Sequence, residues 1–152
     1  MNPLLISDIF LSICDNLELN QIINLELLST NHKLMIRNNS WFKYFYIKNN
    51  IILNYVLNNY KLKKLIISSK CDGNLHILKL KNCHTLDLSC TKITDSSVKE
   101  LKKCHTLNLR KTKITDSCVK ELKNCHTLDL YGTKISNECI EELKSHGCIV
   151  HK

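Results

Sequence analysis

The sequence CHTLDL at residues 83–88 decides the fold of this chain, because the chain repeats it twice more. It returns as CHTLNL at residues 104–109 and as CHTLDL at residues 125–130, each copy 21 residues after the one before. A fixed period of this size is typical of stacked structural units, each of which buries its apolar face only against its neighbours. The repeat therefore predicts the architecture of the C-terminal half of the chain, and it directs the search for function to a surface rather than to a pocket.

Within one repeat unit, the spacing of the apolar residues changes from that of a strand to that of a helix. Leu107 and Leu109 are two residues apart, as in a strand with one face inward. Val119 and Leu122 are three residues apart, which suits one turn of helix. The Thr-Asp pair at residues 115–116 can accept hydrogen bonds from the first helical amides. Each unit is therefore predicted to be a strand, a short loop and a helix, with the strands of successive units in parallel.

The array is predicted to extend beyond the three copies at both ends. Leu65 and Ile67 keep the strand positions of a degenerate first unit, although Asp72 stands where an isoleucine is expected. Ile149 falls on a strand position after the last copy. The predicted units are residues 62–82 (degenerate), 83–103, 104–124 and 125–145, followed by a partial last strand at 147–151.

This unit resembles the leucine-rich repeat, whose pattern is L-x-x-L-x-L-x-x-N/C-x-L. It stands here as Cys104-x-x-Leu107-x-Leu109-x-x-Thr112-x-Ile114, so that Cys replaces the first Leu and Thr replaces the buried Asn or Cys. A threonine hydroxyl can still satisfy a backbone group in the turn. The Ile-Thr-Asp that follows is similar to the cysteine-containing subclass found in F-box proteins. The resemblance implies an α/β solenoid with a parallel sheet on its concave face and helices on its convex face.

The segment at residues 1–46 does not share the repeat and shows apolar residues at helical spacing. It resembles an F-box, a small helical motif that docks on the Skp-type adaptor of a cullin ubiquitin ligase. Five dipeptides of this segment follow the order of the F-box pattern. Asn2-Pro3 stands at the family's Leu-Pro, Ile9-Phe10 at its Ile-Phe and Gln21-Ile22 at its Asp-Leu. Leu28-Ser29 stands at its Val-Cys/Ser, and Ser40-Trp41 at its Leu-Trp. The resemblance implies a helical domain at 1–46, and the spacing predicts a connecting helix at 47–61. The alternative interpretation is a plain helical cap on the array.

An F-box followed by leucine-rich repeats resembles the substrate-recognition adaptors of Skp–cullin–F-box ubiquitin ligases, including chains of large DNA viruses and amoebae. The resemblance implies that the F-box docks on the Skp-type adaptor and that the concave face binds a target protein. It assigns adaptor binding to an apolar set, expected to be partly exposed in the isolated chain: Pro3, Ile9, Phe10, Ile22, Leu28 and Trp41. Two alternatives stay open. One is a leucine-rich-repeat scaffold with a helical cap and no ubiquitin role, and the other, less favoured by the sequence, is a basic nucleic-acid-binding module.

The near-identity of the units makes the positions where they differ informative. Positions 89, 110 and 131 hold Ser, Arg and Tyr, and positions 90, 111 and 132 hold Cys, Lys and Gly, whereas the Leu and Thr framework does not change. Arg110 and Tyr131 are residue types that carry interface energy, and they are expected to lie one unit apart on the concave face. The predicted target-binding residues are Asp87, Ser89, Asn108, Arg110, Lys111, Asp129 and Tyr131.

A column of histidines recurs in one phase of the repeat, at His84, His105 and His126. Neighbouring strands lie ~4.8 Å apart, so the three imidazoles are expected to stack and to repel one another when protonated. Their pKa values should therefore be lowered. Two interpretations stay open, a pH-sensitive contact and a half-buried polar ladder.

Composition excludes several classes of protein. The chain has 152 residues, a formal net charge of +8 and nine cysteines. No apolar run reaches the ~18 residues of a membrane span, and the N-terminus lacks the basic residues of a secretory signal. We therefore expect an intracellular protein, cytoplasmic or nuclear (of a host cell if the source is viral), whose cysteines are thiols and which has no membrane partner. The lysines are expected mainly on a solvated convex face rather than on a nucleic-acid surface.

No enzyme chemistry is predicted from the sequence. It contains no C-x-x-C, and adjacent Cys and His on a strand point to opposite faces, so no metal site is expected. A Ser-His-Asp triad needs converging side chains and an oxyanion site, which an open strand surface does not supply. We therefore expect a binding protein with no cofactor and no small-molecule substrate.

Overall fold

The computed structural model describes residues 40–72 and 74–152, together with the single positions 18, 21, 22, 24, 30, 31 and 36. Its strands are β1 (Ser40–Ile47), β2 (Lys61–Ile67), β3 (Thr85–Asp87), β4 (Thr106–Asn108), β5 (Thr127–Asp129) and β6 (Ile149–His151). The helices labelled here are α1 (Asn50–Asn59), α2 (Ile77–Leu80), α3 (Asp95–Lys99), α4 (Asp116–Val119) and α5 (Asn137–Ser145). Short 3-10 turns span Asn74–His76 and Lys120–Leu122.

The strands form one sheet in sequence order from β1 to β6, and each strand pairs in parallel with the next. Leu86, Leu107 and Leu128 lie in register on three neighbouring strands, and all three are buried. Val119 and Leu122, which the spacing predicts on the inward face of a helix, are also fully buried. The predicted α/β fold with a parallel sheet is confirmed.

The sheet begins one strand earlier than the sequence predicts. Ser40–Ile47, at the end of the segment predicted to be helical, forms β1 and pairs with β2. Phe45 lies beside Leu65 and both are buried, whereas Tyr46, next along the strand, is 55 % exposed. The segment reads WFKYFYI after its first serine, and such aromatic-rich sequences favour a pleated, half-buried strand over a helix. The predicted helical domain therefore does not extend to residue 46; α1 follows β1 and lies within the predicted helix at 47–61.

The last strand is shifted by one residue from the predicted phase. Val150, rather than Ile149, lies beside Leu128, while Ile149 pairs with Thr127 and is 49 % exposed. The chain between α5 and β6 passes through Gly147, which has a φ of 85°. Glycine adopts this left-handed conformation without steric cost, so the turn can hold the one extra residue that separates Val150 from Leu128, 22 residues instead of 21. A strand does form where one is predicted, but the assignment of Ile149 to its inward position is wrong.

One apolar core runs between the sheet and the helices. In each full unit it contains the strand leucines, the helix-face Val or Ile and a buried cysteine at position 83, 104 or 125. Ile22 and Ile36, which precede β1 in sequence, belong to the same cluster and are 1 % and 0 % exposed. At these two positions the N-terminal segment therefore shares its core with the repeat array.

The framework threonines close the turn that follows each short strand. The hydroxyls of Thr91, Thr112 and Thr133 each donate a hydrogen bond to the carbonyl three residues earlier, at 2.6, 2.7 and 2.6 Å. Each carbonyl also accepts the backbone amide of the same threonine, at 3.1–3.3 Å, so the hydroxyl adds a second and shorter hydrogen bond to the turn. The prediction that threonine satisfies a backbone group in this turn is confirmed.

The first residue of each of four helical segments joins one unit to the next. Asn74, Asp95 and Asp116 accept, through Oδ1, a backbone amide about 20 residues further along the chain, each at 2.9 Å. Asn50 does the same, because it accepts the amide of Asp72 at 2.7 Å. We call these four residues the Asx ladder.

At α3 and α4 the Asx ladder replaces the local side-chain cap, whereas α1 and α5 keep such caps from Asn49 and Ser136. The side chain of Thr115 makes no capping hydrogen bond to the helix that follows it, although the 115–116 pair was expected to supply one. Asp116 instead accepts the amide of Ser136 in the next unit. The Asp116 carboxylate therefore satisfies the backbone amide of Ser136 in the next unit instead of an amide of its own helix.

Candidate functional site

The outward side of the short strands forms a polar surface, which we call the sheet face. Asp87, Asn108 and Asp129 lie in register on it and are half-buried, since they point away from the leucine core. Thr106 and Thr127 flank them in the same orientation and are also half-buried. Alternation along each strand places these side chains on the outward side, and the 21-residue repeat brings equivalent positions side by side on neighbouring strands.

Each strand ends in a turn that occupies one oxygen of its outward Asx residue. The Oδ1 atoms of Asp87, Asn108 and Asp129 accept the backbone amides two residues later, at 2.8, 3.0 and 3.1 Å. The side-chain amide of Asn108 also donates to Oδ2 of Asp87 at 3.0 Å. Asp87 and Asn108 are therefore held by their own turns and by each other, which leaves them less available to a partner than the sequence suggests.

Arg110, Asp129 and Tyr131 form one cluster at the end of the strands, which we call the Arg110 cluster. The guanidinium carbon lies 4.8 Å from the centre of the Tyr131 ring, and Nη1 lies 3.9 Å from Oδ2 of Asp129. The side chain of Arg110 is 46 % exposed and Tyr131 is 52 % exposed. The expectation that Arg110 and Tyr131 lie one unit apart and close together is confirmed, although their role in binding stays a prediction.

Ser89 and Lys111, the other two predicted target-binding residues, lie beside this cluster. Ser89 is half-buried and its amide closes the turn at Asp87. Lys111 is exposed and has a φ of 53°, in the left-handed region where Cys90 (φ 58°) and Gly132 (φ 71°) lie in the neighbouring units. Glycine is the residue that this backbone favours, so the conformation accounts for Gly132 but not for Cys90 or Lys111 in the same position. Gly132 is one of three glycines in the chain, and its presence was the one sign in the sequence that this turn needs a positive φ.

The three repeat histidines stack in a column. Their ring centroids are 4.5 and 4.6 Å apart, with interplanar angles of 14° and 12°. Each Nδ1 lies 3.0–3.2 Å from the hydroxyl of the threonine that follows it. Loss of hydration lowers the pKa of His105, and the neighbouring imidazoles lower it further. The predicted stacking is confirmed, and so is the predicted lowering of the pKa at His105.

The apolar set assigned to adaptor binding is only partly within the described residues. Pro3, Ile9, Phe10 and Leu28 lie outside them, and of Trp41 only the backbone, in β1, is described. Ile22 is described as helical and is 1 % exposed in the shared core. At Ile22 the expected partial exposure in the isolated chain is therefore not found.

The cysteines of the described segments are free thiols, and all except Cys90 are buried. Burial raises the pKa of Cys83, Cys104 and Cys125, stacked in one phase, to about 12. Thiols of such high pKa are poor nucleophiles and poor metal ligands, because both roles need the thiolate. In the segments that the structure describes, no group of three or more His, Cys, Asp and Glu side chains could hold a metal ion.

The sheet face offers an aromatic ring, a guanidinium and a carboxylate on an open surface, a combination suited to gripping another protein. Among the described residues, no helix has the length and apolar character that crossing a membrane requires. The chain matches no model of a known protein family and no curated protein sequence.

Proposed function

We propose that this chain is a non-enzymatic protein-binding subunit, a short leucine-rich-repeat array whose sheet face holds a target protein. We further propose that it serves as the substrate-recognition adaptor of a Skp–cullin–F-box ubiquitin ligase, with residues 1–46 docking on the Skp-type adaptor. The observation that carries the first part is the Arg110 cluster, an exposed group of interface-type side chains on an otherwise repeated framework.

The Arg110 cluster has the properties of a binding hot spot. Arg and Tyr are enriched among residues whose truncation weakens protein complexes, and the guanidinium is already held over the ring before a partner arrives. Such preorganisation reduces the entropy lost on binding. Asp129 restrains the same guanidinium at 3.9 Å, so a partner carboxylate that approached Arg110 would find it oriented.

Two features support the ubiquitin part of the proposal. The dipeptides of residues 1–46 follow the order of the F-box pattern, and an array that resembles leucine-rich repeats follows them in the same chain. On this proposal the chain acts in the cytoplasm or nucleus of a cell, where the ligase works. The Arg110 cluster then selects the protein that receives ubiquitin.

A second candidate function is a repeat scaffold whose N-terminal segment is only a cap. Two observations favour it: Ile22 is buried in the core of the array, and Ser40–Ile47 is a strand of its sheet. A segment that shares the core of the repeats protects their open end, which terminal units need. The two candidates differ in one measurable property, the affinity for a Skp-type adaptor.

The deciding experiment is a pull-down of the full chain with purified Skp-type adaptor. Binding by the wild type that is lost in an Ile9→Ala/Phe10→Ala variant would support the adaptor proposal. Ile51→Ala is the matched control, because Ile51 is 84 % exposed on α1 and lies outside the assigned set. Circular dichroism should show that all three proteins are folded. No binding by the folded wild type would leave the scaffold and remove the ubiquitin role.

Target binding is tested separately on the sheet face. Proteins that crosslink to the wild-type chain in a cell extract should be lost with Arg110→Ala or Tyr131→Ala and kept with Lys113→Ala, an exposed lysine outside the cluster. Retention of every crosslink by both cluster variants would exclude the Arg110 cluster as the binding surface.

A further inference from the structure

A groove of about 830 Å³ opens on the side of the array where helices end and strands begin. Its apolar wall comes from Leu57 in α1 and Leu78 in α2. The start of β2 and the chain before β3 form its floor. It is separate from the Arg110 cluster, which lies at the opposite ends of the strands.

The groove is lined by an unusual concentration of positive charge. Among the described residues, those that line the groove include no Asp or Glu and five lysines, which are Lys61, Lys63, Lys79, Lys81 and Lys103. None of the five forms an ion pair within the described part of the chain. Like charges gathered in one concave site raise its electrostatic potential and repel one another, so the arrangement costs free energy unless an anion occupies it.

Comparison with the other units shows that the repeat does not require a lysine at position 79, whereas Lys81 recurs in phase as Lys102, Lys123 and Lys144. Lys79 occupies the position that Glu100, Glu121 and Glu142 occupy in the following units. There the acidic residues offset the helix-side lysines, as in the contact of 3.7 Å between Lys120 Nζ and Glu142 Oε2. At Lys79 the charge is reversed, and its ammonium donates to the neutral side chain of Asn58 instead.

We propose that this lysine groove binds a small organic molecule that carries two or more phosphate groups. Lysine ammonium groups are point charges that suit phosphate oxygens, and several of them can share one multiply charged ligand. The volume falls within the range of small-molecule sites, about 300–1,000 Å³. Leu57 and Leu78 would contact the carbon part of the ligand.

The shape of the site favours a small ligand over a nucleic acid. A single strand needs basic residues that track its backbone and aromatic rings on which its bases stack. In the part of the chain that the structure describes, Tyr60 is the only Phe, Trp or Tyr residue that lines the groove, and it is 7 % exposed. The five lysines surround one cavity instead of following the sheet.

The experiment is isothermal titration of the full chain with sodium tripolyphosphate at constant ionic strength. Saturable binding of one equivalent is expected for the wild type. Lys79→Glu gives the groove the residue of the later units, and we expect it to weaken binding about tenfold or more. Lys113→Glu is the matched control: it makes the same charge change at an exposed lysine outside the groove and should change affinity by less than about twofold.

A second measurement does not depend on folding of the variants. Tripolyphosphate should protect Lys61 and Lys79 of the wild type from acetylation by acetic anhydride, read by mass spectrometry, and should leave Lys113 reactive. Absence of saturable binding, equal weakening in both charge-reversal variants, or equal protection of Lys113 would overturn the proposal, since each would mean diffuse attraction to a basic chain. Tighter, strongly salt-dependent binding of a short oligothymidylate would also overturn it and identify a nucleic-acid site.

Discussion

Asp95 accepts the most hydrogen bonds of the Asx ladder, and its replacement with alanine should loosen the array by a measurable amount. Its Oδ1 accepts the amide of Thr115 at 2.9 Å, and its Oδ2 accepts the hydroxyls of Ser117, at 2.9 Å, and of Thr115. A hydrogen bond to a charged group contributes about 1.5–3 kcal/mol, and water replaces part of each bond at this half-buried site. We therefore expect Asp95→Ala to lower the free energy of unfolding by about 2 kcal/mol.

Two matched variants separate the bonds from the charge. Asp116→Ala should cost less than Asp95→Ala, because Asp116 accepts hydrogen bonds from one residue of the next unit instead of two. Asp95→Asn should also cost less, since Asn74 shows that an amide oxygen in this position accepts both the amide and the hydroxyl of Thr94, at 2.9 and 3.2 Å. The assay is urea unfolding followed by circular dichroism, with the slope checked for two-state behaviour. Equal losses for Asp95→Ala and Asp116→Ala, or for Asp95→Ala and Asp95→Asn, would refute the reasoning.

The same variants predict a dependence on pH. Burial by itself would raise the pKa of Asp95, but hydrogen bonds from Thr115, Cys118 and Ser117 together hold that pKa below its ordinary value of 3.8. A lowered carboxyl pKa means that the stabilisation is present above pH 3.8 and is lost as the pH falls through the folded-state pKa. The difference in stability between wild type and Asp95→Asn should therefore shrink in acid, and a difference that stays constant down to the lowest pH at which the protein folds would contradict it.

Three further predictions follow from the turns, the histidines and the cysteines. Lys111→Gly should raise the free energy of unfolding by about 1 kcal/mol, because it removes the steric strain of a non-glycine residue at positive φ. Gly132→Ala should lower the free energy of unfolding, since it introduces that strain and places a Cβ 3.3 Å from Cγ of Lys111. Urea midpoints check both predictions. The NMR titration midpoint of His105 should lie below 6.5 and should rise when His84 and His126 are both replaced by glutamine. The stabilisation that the neutral imidazole of His105 provides should be lost as the pH falls below 6.5. An unchanged midpoint in the double variant would exclude coupling within the histidine column. Iodoacetamide should label Cys90 of the native chain much faster than Cys104, which is 1 % exposed and has its pKa raised to about 12; equal rates in peptide maps would show that the core opens readily.

The period of the sequence was sufficient to predict most of the sheet, because in-phase strands of identical units can pair only side by side. It failed where the period itself ends. Ser40–Ile47 has no counterpart of the CHTL sequence, so its strand could be recognised only from its aromatic composition and from the sheet edge that it covers. Beyond the last copy, a single added residue at the Gly147 turn moved Val150 into the place predicted for Ile149. Phase arithmetic cannot detect such a shift, since side chains alternate faces at every residue.

The candidate sites were predictable to different degrees for the same reason. Arg110 and Tyr131 occupy one phase in neighbouring units, so their proximity follows directly from the spacing of strands. The Asx ladder also recurs in phase, as Asn74, Asp95 and Asp116, but it bonds to loop amides whose position depends on how the helices begin. The lysine groove combines residues from the ends of two helices and two strands in different phases. Lys81 recurs in phase as Lys102, Lys123 and Lys144, but the other four lysines do not recur in every unit, and only the packed structure brings all five together.

Within this chain the repeat supplies an internal standard, and the structure sorts the departures from it into two kinds. Gly132 and Gly147 depart from their units at positions with positive φ, so backbone conformation accounts for them. Arg110, Tyr131 and Lys79 depart at exposed positions where neither the core nor the turn requires the change. Where the fold does not require a side chain to differ, binding to a partner can account for the difference. The sheet face and the lysine groove are therefore the two surfaces on which binding should be tested, and each has a neighbouring unit that provides the matched substitution.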